Sequence, residues 1–553
     1  MRAWVALLLL LAGSARADRL FWHDVRLDKD GKLLSWVDGD APYARVVQTC
    51  WEMFKTIPVQ TNGFRTYFTY PEFNGINDPS APFFDGRSWA HNPAGLFTML
   101  TDGATLYYAY SGDHVVMDRV REMLDHMLEA GLTSSTDYWA NCPYSSSDAG
   151  DPEYRGGTDT IYCNQEHFTP CGRGDGVGYL EPDKIGELGY AYLQFYEFTQ
   201  EKKYLEAAIH CADALALHIQ PGDESHSPWP FRVDAATGKI VREPYTANTI
   251  GPIRLFDELI RIKRGNVKSY RRARAMAWQW LMTYPMRDDV WTQYFEDVLI
   301  YPDYRVNKNQ YSALETARYL LQHPEFDPQA KTHAKHLIDW VTSHFAINSR
   351  TMSGLHERGL QWGAEALSEQ INDMDKMSSH TARYASVRAL YYEVTGDTNS
   401  KERAFRSFNW ATYSAREDGL VQTSLEDSTG FWFSDGYGDY MRHFLRGMAS
   451  VPEWAPRHES HLLRSTSIVR AIHYGDDKIE YETFDAAARD VLRLRVKPAE
   501  IRLGNKKLPR VDNLEECSQG YTLEEMPDSG CVVRLKRTHA KSVAILIGTK
   551  PVP

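Results

Sequence analysis

Cysteine is scarce. The 553 residues contain seven, at positions 50, 142, 163, 171, 211, 517 and 531, too few to staple a chain of this length into a disulfide scaffold. No CxxC or HxxxH pair occurs, so the spacing that marks many zinc sites is missing. The spaced Asp/Asn loop of an EF-hand is missing too, and no metal or other cofactor is expected. Basic charge is also in short supply: 62 lysines and arginines stand against 74 acids, a formal net charge of −12. That balance argues against general nucleic-acid binding, because phosphate neutralisation needs a cationic surface. Beyond the first residues, no stretch approaches the roughly 18 uninterrupted apolar residues of a membrane span.

The one long apolar run, Trp4 to Ala12, follows Met1 and Arg2 and precedes Ala15-Arg16-Ala17. This pattern reads as a secretory signal peptide over residues 1–17 with cleavage near Ala17, giving a secreted or periplasmic protein. Export would permit some disulfides. Cys142, Cys163 and Cys171 share one polar loop, and Cys517 and Cys531 flank one expected hairpin, so these are the candidate pairings, whereas Cys50 and Cys211 read as buried thiols.

What is abundant is a recurring pair of helices. In "NPAGLFTMLTDGATLYYAYSGDHVVMDRVREMLDHMLEAG", Pro93 suits a first helical turn and Gly112-Asp113 breaks the chain. Val116, Val120, Met123 and Met127 then follow helical spacing. In "PDKIGELGYAYLQFYEFTQEKKYLEAAIHCADALALHI" the first helix is apolar on every face, while Tyr204, Ala208, Ala212, Leu215 and Ile219 form one stripe. The first helix of each pair is therefore inner and the second outer. Further pairs are expected at about 249–284, 311–345 and 378–413, with a partial one before Gly447 and an opening helix near 43–55. Turns inside each pair are short, and the connections into the inner helices are long and variable. Five or six such pairs predict a mainly α fold: an (α/α)6 barrel or toroid over residues 18–455, with its long loops gathered at one mouth. After "MASVPEWAPRHES", short alternating segments such as "KIEYETF", "VLRLRV" and "SVAILIG", with a turn at Gly504-Asn505, predict a small antiparallel, sandwich-like β-domain over 465–553.

The mouth loops contain the conspicuous polar and aromatic residues: Arg87, Trp89 and His91 in one; Asp175 and Asp183 in another; then Trp229, Arg232 and Tyr245; Asn309 and Tyr311; and Asp435. The densest group of acids, Glu365, Glu369, Asp373 and Asp375, lies just ahead of His380. Aromatic faces pack against sugar C–H groups while carboxylates, amides and guanidinium groups bind hydroxyls, so these loops suit a poly- or oligosaccharide, uronate-containing ones included. Single residues also have plainer readings. Asp183, after Pro182, and Asp375 would favour helix N-termini, Trp229 would serve as wall, and His91 and His380 as ordinary hydrogen-bonded histidines. Glu187 is harder to dismiss, since a charge inside an apolar inner helix needs a partner. Gly174, Gly176 and Gly178 make no dinucleotide fingerprint, because no strand precedes them.

The apolar opening, the helical hairpins with T-G-D-like turns ("YSGDH", "VTGDT") and the C-terminal β-domain together resemble the α/α-toroid glycoside hydrolases and polysaccharide lyases. The resemblance spans most of the chain and is architectural. It implies a carbohydrate-active enzyme, and two mechanisms fit. A glycoside hydrolase needs a proton donor and a second carboxylate, for which Asp183 or Asp175 and Glu369 or Asp375 are candidates. Arg87, Trp89, His91, Trp229, Arg232, Tyr245, Asn309, Tyr311, His380 and Asp435 would then bind substrate. A lyase or uronate epimerase would instead use Tyr, His, Asn and Arg to neutralise a carboxylate and move the C5 proton. Noncatalytic glycan binding is the third reading. Acids at two inner-helix entrances favour the hydrolase, with Asp183 and Glu369 as its pair.

Overall fold

The structure, a computed structural model, describes residues 19–72, 74, 81–82, 90–157, 176–241, 243–294, 303–347, 362–370, 373–423, 431–527 and 529–547, apart from the side chains of 370, 373–375 and 434. The expected signal peptide, Arg87, Trp89, Asp175, Cys163 and Cys171 lie outside the described residues, and so does the side chain of Asp375.

The helices are α1 (Pro42–Thr56), α2 (Pro93–Ser111), α3 (Val115–Ala130), α4 (Pro182–Thr199), α5 (Lys202–His218), α6 (Ile250–Ile262), α7 (Val267–Thr283), the single turn α8 (Pro285–Asp288), α9 (Gln310–Gln322), α10 (Ala330–Phe345), α11 (Ser378–Thr395), α12 (Thr398–Thr412) and α13 (Tyr440–Ser450). Local chemistry sets their ends. The Asn92 side chain accepts from the Gly95 N–H at 2.9 Å ahead of Pro93, Asn309 caps α9 through the Tyr311 N–H at 2.7 Å, and α2 stops at Gly112 in the left-handed region with φ 76°, each a usual helix boundary.

Six of these helices form a closed inner ring. α2 packs on α4, α4 on α6, α6 on α9, α9 on α11, α11 on α13, and α13 returns to α2. Each inner helix is backed by an outer one: α3, α5, α7, α10 and α12 follow their partners in sequence, whereas α13 is backed by α1 from the start of the chain. The fold is the expected α/α toroid. Because inner helices run one way, the long segments entering them share one end of the ring, and the short inner-to-outer turns share the other.

Small strands decorate the long-loop end: β1 (Arg19–Leu20), β2 (His23–Asp24), β3 (Tyr179–Leu180), β4 (Val233–Asp234), β5 (Ala346–Ile347), β6 (Ala366–Gln370) and β7 (Asp373–Met377). The segment expected to be an acidic loop ahead of α11 is thus a hairpin, β6–β7, extended by β5 into a three-stranded sheet. After α13 come β8 (His461–Ser465), β9 (Val469–Tyr474), β10 (Lys478–Thr483), β11 (Ala488–Leu494), β12 (Pro498–Leu503), β13 (Lys506–Lys507), β14 (Gly520–Glu525), β15 (Cys531–Arg537) and β16 (Ser542–Ile547). They make two antiparallel sheets, β13-β12-β16-β10-β9 and β14-β15-β11-β8. Alternate residues such as Ile479, Tyr481, Val543 and Ile545 are buried, as sheets packed on one face require.

These strands cover the short-turn end of the ring. The Tyr474 hydroxyl donates to the Ala109 carbonyl of α2, His461 stacks on Tyr110 at 3.9 Å, Arg470 donates to the Phe198 carbonyl at 3.2 Å, and Arg464 pairs with Glu393 of α11. Cys517 and Cys531 do not bridge: both are free thiols. The β14–β15 register sets Gly520 opposite Lys536 and Glu525 opposite Cys531, which leaves the two sulfurs at opposite ends of the hairpin.

Candidate functional site

At the long-loop end, the first turns of neighbouring inner helices bring charged groups together. α4 contributes Asp183, Lys184 and Glu187, the segment before α6 contributes Asn248, α9 contributes Gln310 and Tyr311, and α11 contributes His380 and Arg383; all are buried. A buried charge must be paired or neutralised, and these are. The Asn248 amide nitrogen lies 2.9 Å from Asp183 Oδ2 and 2.9 Å from Glu187 Oε1. Tyr311 donates its hydroxyl to Glu187 Oε1 at 3.2 Å, and Lys184 Nζ lies 3.3 Å from Glu187 Oε2. The Arg383 guanidinium sits 4.3 Å from the Tyr311 ring centre and donates to Gln310 Oε1 at 3.2 Å.

The environment separates the two α4 carboxyls. Burial is the main influence on Asp183; with the charge of Glu187 it outweighs Lys184 and the Asn248 amide and pushes the carboxyl up to about 7. Glu187 collects three side-chain donors, from Asn248, Tyr311 and Lys184. Burial opposes the charge of Lys184, but Glu187 and Asp183 hold its ammonium well above the ordinary range. A buried carboxyl raised in this way beside a second one that collects several donors is a common arrangement for acid–base work.

Across the ring, His380 receives an N–H from Arg383 at its Nδ1, 2.9 Å away. A guanidinium only donates, so the neutral imidazole carries its proton on Nε2. Burial first, and Arg383 second, push His380 down to about 3, so its 3.8 Å approach to Glu369 Oε1 is that of a neutral ring to a carboxyl rather than an ion pair. Gln310 also reaches this strand, its amide 3.5 Å from the Glu369 carbonyl, which joins α9, α11 and β6.

Deeper along the ring axis lies a paired network. Asp439 is bound by Arg383, Arg442 and His443, and these overcome burial to hold its carboxyl well below the usual range. Asp102 pairs with Arg442 and Arg446, and Glu315 with Arg254 and Arg318. Of the acids in the sequence cluster, Glu365 belongs to the scaffold: it accepts from Arg403 Nε at 3.0 Å and from the Tyr384 hydroxyl at 2.7 Å, with Arg388 3.8 Å away.

The remaining expected site residues divide into two groups. Asp435, in the π-helical turn leading into α13, accepts from the Ser379 hydroxyl of α11 at 3.5 Å, and Asn309 spends its side-chain oxygen on capping α9 beneath Tyr311. Trp229, Tyr245, Arg232 and His91 have their polar ends elsewhere. The Trp229 indole donates to the Leu215 carbonyl at 2.9 Å, and the Tyr245 hydroxyl to the Val290 carbonyl at 3.1 Å. Arg232 lies buried between Glu181 at 3.8 Å and Glu243 at 4.0 Å. His91 is buried near Tyr154 and pushed down to about 3, chiefly by burial. Lys184, Gln310 and Arg383 were not expected. Their signal was an ionisable or amide group inside an otherwise apolar helix, the same one that marks Glu187. Among the described residues, no group of three or more His, Cys, Asp or Glu is arranged to hold a metal ion.

No protein-family model matches the chain, and no curated protein matches it in sequence. Solved structures do match in shape. A D-mannose isomerase superposes with a TM-score of 0.51 at 12% identity, over 74% of this chain and 96% of its own. The cellobiose 2-epimerase of Bacillus thermoamylovorans B4167 gives 0.51 at 11%, over 73% and 97%. A family 76 glycoside hydrolase from a bovine Bacteroides thetaiotaomicron strain gives 0.47 at 12%, over 75% and 78%. At such identities the likeness to the isomerase and the epimerase establishes a shared fold and nothing finer.

Proposed function

We propose that this chain is a carbohydrate-active enzyme of the glycoside hydrolase type. Asp183 protonates the departing glycosidic oxygen, and Glu369 is the second carboxylate, acting on water or on the anomeric carbon. The observation that carries this reading is the Asp183 carboxyl itself: buried on the first turn of an inner helix, one turn from Glu187, and poised near 7, where an acid both holds its proton and gives it up readily. The fold shared with a D-mannose isomerase and a cellobiose 2-epimerase supports a sugar as substrate. The apolar opening and the Ala15-Arg16-Ala17 pattern support export and action outside the cytoplasm.

The test is incubation of pure protein with a panel of polysaccharides, reading reducing ends together with the absorbance of a new C4–C5 double bond. Asp183→Asn and Glu369→Gln should each lower hydrolytic turnover by about 10²- to 10⁴-fold, and wild-type turnover in both variants would remove the pair from the mechanism. One observation favours a second reading. Tyr311, flanked by Lys184 and Arg383, donates to Glu187, a set that could accept the C5 proton of a uronate while the cations hold its carboxylate. An unsaturated or epimerised product abolished by Tyr311→Phe would select the lyase or epimerase.

A further inference from the structure

Asn248 ends the segment that enters α6, and that segment is tied down at every step. Trp229 anchors it to α5 and Tyr245 to the Val290 carbonyl. The Thr246 N–H donates to the Ser227 hydroxyl at 3.0 Å, the Ala247 N–H to the Thr292 carbonyl at 2.7 Å, and the Asn248 N–H to the Thr246 hydroxyl at 3.2 Å. From this fixed backbone the buried side chain presents one amide nitrogen to two carboxyl oxygens, each 2.9 Å away. An amide nitrogen carries two hydrogens, so each carboxyl receives one.

We propose that Asn248 is a positioning residue for the reaction: one amide clamps Asp183 and Glu187, one turn apart on α4, and holds the two carboxyls in one fixed geometry. The inference rests on the reading of Asp183 as proton donor. Besides the clamp, Glu187 has the Tyr311 hydroxyl and the Lys184 ammonium, whereas Asp183 has the backbone N–H of Lys184 at 2.8 Å. Glu187 therefore has three donors and Asp183 two. Titratable and charged groups facing the pair come from several elements: Lys184 on the same helix and Tyr311 on α9, with Glu181 just ahead of α4 acting on Lys184, and Arg254 of α6, Glu315 of α9 and Arg442 of α13 acting on Tyr311. Trp229 and Tyr245 act one step further out, by holding the segment that carries Asn248.

The experiment compares Asn248→Ala and Asn248→Ser with the wild type in the full chain, after circular dichroism has established folding. It measures kcat and KM across pH, and the titration of Asp183 by carboxyl-labelled aspartate NMR. Asn248→Ala should lower kcat by about 10- to 100-fold with KM nearly unchanged, as expected of a misplaced acid. The alkaline limb of kcat and the Asp183 midpoint should move up together, because a donor that favours the ionised form is gone. Asn248→Ser, with one donor in place of two, should fall between. If Asn248→Ala keeps wild-type kcat and an unmoved limb while Asp183→Asn is inactive, the positioning role is overturned and the proposed function stands. If Asp183→Asn keeps wild-type turnover, the proposed function itself fails. Should Asn248→Ala not fold, a wild-type kcat and midpoint in Asn248→Ser overturn the role.

Discussion

Glu365 and Glu369 are four residues apart in one acidic stretch, and their neighbours give them different fates. Glu365 is buried against Arg403, Arg388 and Tyr384, so Glu365→Gln should cost about 3 kcal/mol of unfolding free energy by leaving buried guanidinium charge poorly matched, measured by urea denaturation. Glu369 approaches the His380 ring at 3.8 Å, and Glu369→Gln should lower turnover by about 10²- to 10⁴-fold; wild-type turnover in that variant, measured on the same substrate, would contradict the division. Residue identity alone could not separate these two acids, because a glutamate of the scaffold and one proposed for the site differ only in what the fold brings beside them. Glu187 was legible as a charge in an apolar helix. Lys184 and Arg383 carry the same signal within their helices, and Trp229 and Tyr245, aromatics in mouth loops, anchor backbone through the Leu215 and Val290 carbonyls.

At the scale of elements, α4 and α6 approach closely because Gly186 faces Pro252. A Cβ at position 186 would stand 2.4 Å from the Pro252 backbone nitrogen, a contact that cannot be relieved without shifting one helix. Gly186→Ala should therefore cost about 1–3 kcal/mol. Since Asp183 and Glu187 lie on α4 and Asn248 just before α6, it should also lower kcat, and unchanged stability and turnover would show that the helices slide freely. The inner and outer helices were legible from apolar periodicity, which ring closure requires. β6 and β7 were not, for two reasons: Asp and Glu disfavour strands, and part of their pairing comes from β5, about twenty residues upstream. β8 and β9 were less legible for a related reason, since Arg and His interrupt their apolar residues.

For the whole molecule, the β-sheets cover the short-turn end of the ring, and the axial ion pairs of Asp102, Glu315 and Asp439 fill its interior. The candidate site therefore sits at the end opposite the sheets, where every inner helix begins. Closing the ring sets α4 and the β6–β7 hairpin ahead of α11 at the same end, linked through α9, and it buries Asp183, which raises its carboxyl. This has a thermodynamic signature independent of any substrate. A carboxyl raised in the folded chain binds a proton that the unfolded chain releases near the ordinary range of about 4. Wild-type stability relative to Asp183→Asn should therefore fall as pH rises from about 4 to about 7 and level off above. The most direct measurement is the titration of Asp183 in the intact chain by carboxyl-labelled aspartate NMR, assigned by difference against Asp183→Asn. A midpoint of about 7 is the predicted result; a midpoint in the ordinary carboxylate range, with no pH-dependent difference in stability between the two proteins, would contradict the account.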